Sequence, residues 1–70
     1  MRPIEIWVNR EPRAVAAAHV GELVVELGYD PAGRGLAVVR NGELVPRSAW
    51  AEVPLAPDDR IEIVGAVQGG

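Results

Sequence analysis

Between His19 and Gly28 the apolar residues recur at helical spacing, with Val20, Leu23, Val24 and Leu27 at i, i+3, i+4 and i+7. Glu22 and Glu26 project from the opposite side. A helix of about two and a half turns is too short to persist alone in water, so it must lay its apolar stripe on a sheet. Gly28 stands where helices end in a left-handed residue, and Pro31 soon afterwards prevents the helix from resuming. The fold is therefore constrained to be a helix packed on whatever sheet the flanking residues supply.

Those residues supply strands. Ile4, Ile6 and Val8 alternate with Glu5, Trp7 and Asn9, the period of a strand buried on one face. Asn9 to Pro12 carries turn chemistry, and Arg13 to Ala17 is expected to return as the second arm of a hairpin. After a Gly33 to Gly35 loop, Leu36 to Val39 form an apolar run ending at Arg40, and Asn41-Gly42 predicts a two-residue type I′ turn into Glu43 to Val45. Pro46 ends that strand, Ser48 to Ala51 reads as one helical turn with Trp50 covering an edge of the core, and Pro54 and Pro57 frame an irregular crossing. Arg60 to Val64 forms the last strand, with Ile61 and Ile63 pointing one way. This order predicts an α+β, ubiquitin-like β-grasp fold: a mixed sheet of about five strands on one main helix. Residues 1–64 are expected to form the domain and residues 65–70 a flexible C-terminal tail.

Seventy residues at 49% apolar content make one small domain with little room for a catalytic pocket, so no enzyme activity is expected. Cysteine is absent, which excludes disulfides, a thiolate nucleophile and a cysteine metal site. Lysine is absent too, all seven basic residues being arginine, so the chain offers no side-chain amine for isopeptide bonds with its own kind. A net charge of −3 argues against a nucleic-acid binder and for a partner with a basic docking surface. No apolar run approaches the ~20 residues of a membrane span, and no secretory leader is evident, so a cytoplasmic protein, monomeric when free, is expected.

Few side chains invite a chemical role. His19 is expected to cap the helix, and Asp58-Asp59, flanked by Pro57 and Arg60, to form a solvated turn without metal. Trp7 alternates to the outer sheet face, where it either anchors a partner or covers an edge. Arg47 and Arg60 are candidates for steering docking. Gly33-Arg34-Gly35 lacks the strand-to-helix setting and the lysine of a phosphate-binding loop.

The C-terminal segment is the exception. Gly65-Ala66-Val67-Gln68-Gly69-Gly70 follows the last strand, and a double glycine lets the backbone enter a narrow channel and leaves its carboxylate open to attack. Gly70 is the expected bearer of a covalent group, Gly69 the clearance residue, and Gly65, Ala66, Val67 and Gln68 the tether that partners grip.

Over nearly its whole length the chain resembles the ThiS family of sulfur carriers. The resemblance rests on the N-terminal hairpin, the Val20 to Leu27 helix, the block Asn41-Gly42-Glu43-Leu44-Val45-Pro46-Arg47-Ser48-Ala49-Trp50, and Arg60-Ile61-Glu62-Ile63-Val64 feeding the glycines. The related MoaD family is usually longer and has proline before its tail, which Val64 to Gln68 lack. The resemblance implies that a ThiF/MoeB-like enzyme uses ATP to adenylate Gly70, that a sulfur donor protein converts it to a thiocarboxylate, and that a ThiG-like thiazole synthase receives the sulfur. The carrier itself would bind no cofactor and no metal. The alternatives are a MoaD-like carrier for molybdopterin or another sulfur pathway, a protein modifier attached to lysines elsewhere, and a non-covalent β-grasp interaction module.

Overall fold

A computed structural model describes residues 3–30, 32 and 34–65. Five strands, β1 (Ile4–Val8), β2 (Glu11–Val15), β3 (Leu36–Arg40), β4 (Glu43–Val45) and β5 (Arg60–Gly65), form one sheet in the order β2-β1-β5-β3-β4. The central pair, β1 and β5, is parallel, and the other pairings are antiparallel. The helix α1 (Val20–Glu26) crosses one face of this sheet, and a 3-10 turn, Arg47–Glu52, closes the edge of the core. This is the mixed β-grasp arrangement expected from the alternating and helical periods.

The core follows those periods residue by residue. Ile6, Val15, Val38, Val45, Ile61 and Ile63 project from the sheet onto Val20, Leu23 and Val24 of α1, all buried. Trp50 is buried at the edge, and its Nε1–H donates to the Val45 carbonyl at 2.9 Å, so the indole fills space without stranding its polar atom. His19 caps α1 as expected, its Nδ1 accepting from the Glu22 N–H at 3.2 Å. At the other end Gly28 takes φ 90°, and the N–H groups of Gly28 and Tyr29 donate to the Val25 and Val24 carbonyls, a Schellman stop. The expected contribution of Pro31 to that stop lies outside the described residues.

Two expectations are corrected. The first hairpin turns through Asn9 and Arg10 alone, at φ 50° and 72°, so β2 begins at Glu11 rather than Arg13 and ends at Val15 rather than Ala17. Pro12 fits inside β2 because Val8 and Glu11 close the turn as the hydrogen-bonded pair. Its ring nitrogen, opposite Trp7, then faces away from β1 on an edge strand. The three alanines after β2 have no strand partner. Glu26 accepts from the N–H groups of Ala16 and Ala17, and Glu22 accepts from Ala18 at 2.8 Å, so the helix carboxylates satisfy the linking segment.

The second correction concerns Asp58-Asp59. Asp58 is exposed at φ 69°, but Asp59 is only 5% exposed and is no solvated turn residue. Its carboxylate accepts from Arg40 Nε at 2.9 Å, Asn41 Nδ2 at 3.0 Å and the Ala56 N–H at 2.9 Å. Burial alone would push the carboxyl up, but the hydrogen bonds from Asn41, Ala56 and Arg40, with the Arg40 charge, outweigh it and hold the group below its ordinary value. Folding therefore favours the ionised form. That contribution is complete above the unfolded-state value of about 4 and is lost as pH falls through the lower folded-state value. Asp59→Asn should cost about 2 kcal/mol at neutral pH, since an amide must turn an NH2 group toward donors. Urea melts at neutral and strongly acidic pH check this: the gap between wild type and variant should close in acid, and a gap that persists unchanged would contradict it.

Candidate functional site

The chain leaves the sheet from β5, and the way β5 is held decides where its end points. β5 is the middle strand, paired with β3 from Arg40↔Ile61 to Leu36↔Gly65, but with β1 only at Trp7↔Arg60 and Val8↔Ile61. Where β1 stops, an asparagine takes over: the Asn9 N–H donates to the Ile61 carbonyl at 2.9 Å, and Asn9 Oδ1 accepts from the Ile63 N–H at 2.8 Å. A second asparagine works from the opposite side. The Asn41 N–H donates to the Arg60 carbonyl at 2.7 Å, and Asn41 Oδ1 accepts from the Arg60 N–H at 2.8 Å. Both asparagines stand in left-handed turns, at φ 50° each, which turns their side chains toward the neighbouring strand.

Gly65, expected as the first residue of the tail, is instead the last residue of β5, opposite Leu36. The hydrogen-bonded ladder with β3 explains the difference, because it continues one residue beyond the point where side-chain alternation stops being readable. Ala66, Val67, Gln68, Gly69 and Gly70 lie outside the described residues.

The sheet face away from α1 is the other conspicuous surface. Trp7 (41% exposed), Leu44 and Val64 are large apolar side chains left open there, with the half-buried Ala37 and Val39 between them by register. Trp7 therefore occupies the outer position its alternation predicted. It lines a cleft of about 460 Å³ together with Arg10, Arg60, Ile61 and Glu62. Arg60 is thus drawn beside Trp7, whereas Arg47 starts the 3-10 turn and is absent from that cleft. A second open cleft, about 490 Å³, lies along α1 beside His19, Gly21 and Val25, with its carboxylates Glu22 and Glu26 already engaged with the Ala16 to Ala18 amides.

Among the described residues no group of three or more His, Cys, Asp or Glu side chains converges as metal ligands do. No helix among them is long and apolar enough to cross a membrane. The imidazole of His19 serves as a helix cap, so the one histidine is committed to structure. Arg34 is exposed, and Gly33 lies outside the described residues. What the arrangement offers chemically is a rigid launching strand for the C-terminal segment and an apolar, arginine-edged face beside it. Sequence reasoning missed Asn9, Asn41 and Asp59 as its supports. The signal available was an asparagine directly after each strand that precedes a turn.

Comparison with known proteins agrees with this architecture. A family model described as the ThiS family matches residues 6–70. The sulfur carrier protein ThiS of Thermus thermophilus is 32% identical over 65 residues, covering 93% of this chain and 98% of that protein. A thiazole synthase of Paramagnetospirillum magneticum is 40% identical over 68 residues, covering 96% of this chain, and the chain spans only 20% of that longer protein. Among solved structures, the crystal structure of the thiamine biosynthesis protein ThiS from Geobacter metallireducens superposes with a TM-score of 0.78 at 28% identity, covering 96% of this chain and 100% of that one. A solution structure of a thiamine biosynthesis protein from the same organism gives 0.79 at 28% identity, covering 96% and 88%.

The position of Gly65 is open to a direct check. A Cβ there would sit 3.8 Å from Leu36 Cδ2, an ordinary contact, and glycine weakens a strand interior. Gly65→Ala should leave the melting temperature unchanged or slightly raised; a fall of several degrees would show that the residue is not seated in β5 as described.

Proposed function

This chain belongs to the ThiS family, and on that premise we propose that it is a sulfur carrier of thiamine biosynthesis that works through the carboxylate of Gly70. What supports the reading is the reach of the family match, which runs through residue 70 and so takes in both glycines. The body adds no competing chemistry of its own, having neither cysteine nor lysine and a histidine already used as a cap.

A carboxylate is a poor electrophile, so the carrier must be activated before it can accept sulfur. In the proposed sequence a ThiF/MoeB-like enzyme in the cytoplasm binds ATP, and an oxygen of the Gly70 carboxylate attacks the α-phosphorus, releasing pyrophosphate. Hydrosulfide-level sulfur, delivered by a donor protein, then attacks the acyl carbon. The C–S bond forms, the C–O bond to AMP breaks, and AMP leaves with the electron pair. The product is a thiocarboxylate whose sulfur is nucleophilic. The chain performs none of these steps catalytically: β5 and its asparagine supports aim the C-terminal segment, and the glycines let it enter.

A thiazole synthase is the proposed acceptor. In Paramagnetospirillum magneticum a protein of that name contains a segment 40% identical to this chain, amounting to one fifth (20%) of its length. There the carrier-like segment and the synthase share one polypeptide, which accords with a working partnership between the two.

The experiment is intact-mass measurement after incubation with the activating enzyme, ATP and a sulfide source. A gain equal to replacing one oxygen by sulfur, mapped to Gly70, is the expected result. Gly69→Ala should fold normally yet load at least about tenfold more slowly, as expected if a channel contact worth about 1.4 kcal/mol is lost. Loading elsewhere in the chain, or none, would contradict the proposal.

A further inference from the structure

Asn41 and Gly42 make the turn between β3 and β4, and the same pair can react with itself. Glycine after asparagine leaves the next backbone nitrogen without a side chain to shield it. That nitrogen can attack Asn41 Cγ: the N–C bond forms, the bond from Cγ to Nδ2 breaks, and the proton of the Gly42 N–H leaves with the amide nitrogen as ammonia. Water then opens the five-membered imide on one side or the other, giving aspartate or isoaspartate. Both residues are exposed, and a Cβ built on Gly42 would meet nothing within 4 Å, so water and base have free access.

What opposes the reaction is the way the side chain is held. Asn41 Oδ1 accepts from the Arg60 N–H at 2.8 Å, Nδ2 donates to Asp59 Oδ1 at 3.0 Å, and the Asn41 N–H donates to the Arg60 carbonyl at 2.7 Å. Both polar ends of the amide are thus fixed at the entry to β5, and Cγ reaches the Gly42 nitrogen only after both bonds break. Asp59 does not swing away by itself, being 5% exposed and bonded to Arg40 and to the Ala56 N–H. Asn9, the other asparagine, also stands in a left-handed turn, but Arg10 follows it and covers the nitrogen that would attack.

We infer that Asn41 is a site of enzyme-free deamidation that the fold holds shut through Asp59 and Arg60, so that a chain is marked when this corner of the sheet opens. The inference goes beyond the proposed function and does not rest on it. The mark also keeps the corner open. Deamidation puts a carboxylate oxygen where Nδ2 donated, 3.0 Å from Asp59 Oδ1, so a buried carboxylate loses a donor and gains a like charge. The isoaspartate product lengthens the backbone of a two-residue turn closed by Arg40↔Glu43, where the register leaves no room for another atom. Either product weakens the bracket that Asn41 places on Arg60, the first residue of β5.

The test incubates the full chain in mildly alkaline buffer, folded and in concentrated urea, and follows the mass gain of replacing NH2 by OH, with peptide mapping. In urea the gain should appear at Asn41, and the folded chain should react at least about tenfold more slowly, because only the opened fraction reacts. Two variants separate the clamp from general stability. Asp59→Ala removes the acceptor of Nδ2, whereas Val15→Ala weakens the core from the far edge strand, β2. At a temperature where melts show both folded, Asp59→Ala should deamidate at least about fivefold faster than Val15→Ala, since local opening and global unfolding are distinct events. Should either variant fail to fold, the wild type decides: through urea concentrations below its transition, hydrogen exchange at the Arg60 N–H and deamidation at Asn41 should accelerate in proportion. Asn41→Asp should melt several degrees below wild type at neutral pH. Equal rates folded and unfolded, a gain mapped to Asn9 or Gln68, equal rates in the two variants, exchange at Arg60 that does not track the reaction, or an unchanged melt for Asn41→Asp would each overturn the inference.

Discussion

The structure depends on how its last strand is held in its middle. β5 is the final segment of the fold yet lies between β1 and β3, so the sheet is complete only when the C-terminal end of the domain has docked. Side-chain amides do much of that work. Asn9 continues the β1 ladder after β1 has turned away, Asn41 brackets Arg60 from the other hairpin, and Asp59, tied to Arg40 and Asn41, fixes the approach. Each is a polar group satisfied by another, which a small core can sustain where a large apolar surplus is not available. The result is a strand held on both sides as far as Ile63 and by β3 alone from there to Gly65.

Much of this was legible in the sequence. The alternation of Ile4, Ile6 and Val8, the helical spacing of Val20 to Leu27, and the Asn41-Gly42 turn each report a local period or a local backbone requirement, and each element lies where it was expected. Trp50 was legible as an edge cover because a lone tryptophan in a short apolar turn has few other uses. The first hairpin was read with its return strand two residues late. Arg10 gives no sign of a left-handed conformation, and Pro12 reads as part of the turn although it is an edge-strand residue. Asp59 was misread for a different reason: Arg40 and Asn41 lie 19 and 18 residues away, and nothing local distinguishes a buried, paired carboxylate from a solvated one. At the site, the outward position of Trp7 followed from alternation. Its pairing with Arg10 and Arg60 did not, since that requires the parallel β1–β5 register.

Under the proposed function, the same features divide the molecule into a body that holds and an end that reacts. Asp59, Glu22, Glu26 and His19 are each bonded within the fold and committed to the sheet and to the helix and its links. Cysteine and lysine are missing from the composition, so the sulfur chemistry proposed at the C-terminus would meet no thiol or side-chain amine within its own chain. A carrier handed between enzymes, as proposed, would benefit from this separation: one face could be recognised while the proposed reacting carboxylate is presented to each partner in turn.

The most direct measurement of that division is growth without thiamine in a host lacking its own carrier, supplied with this chain carrying one extra alanine fixed after Gly70. The body would be unchanged, and thermal melts would show it folded, but the carboxylate would be displaced by one residue. The account predicts no growth, with full growth from the unextended chain. Equal growth from both would contradict the claim that the Gly70 carboxylate is the working group of this protein.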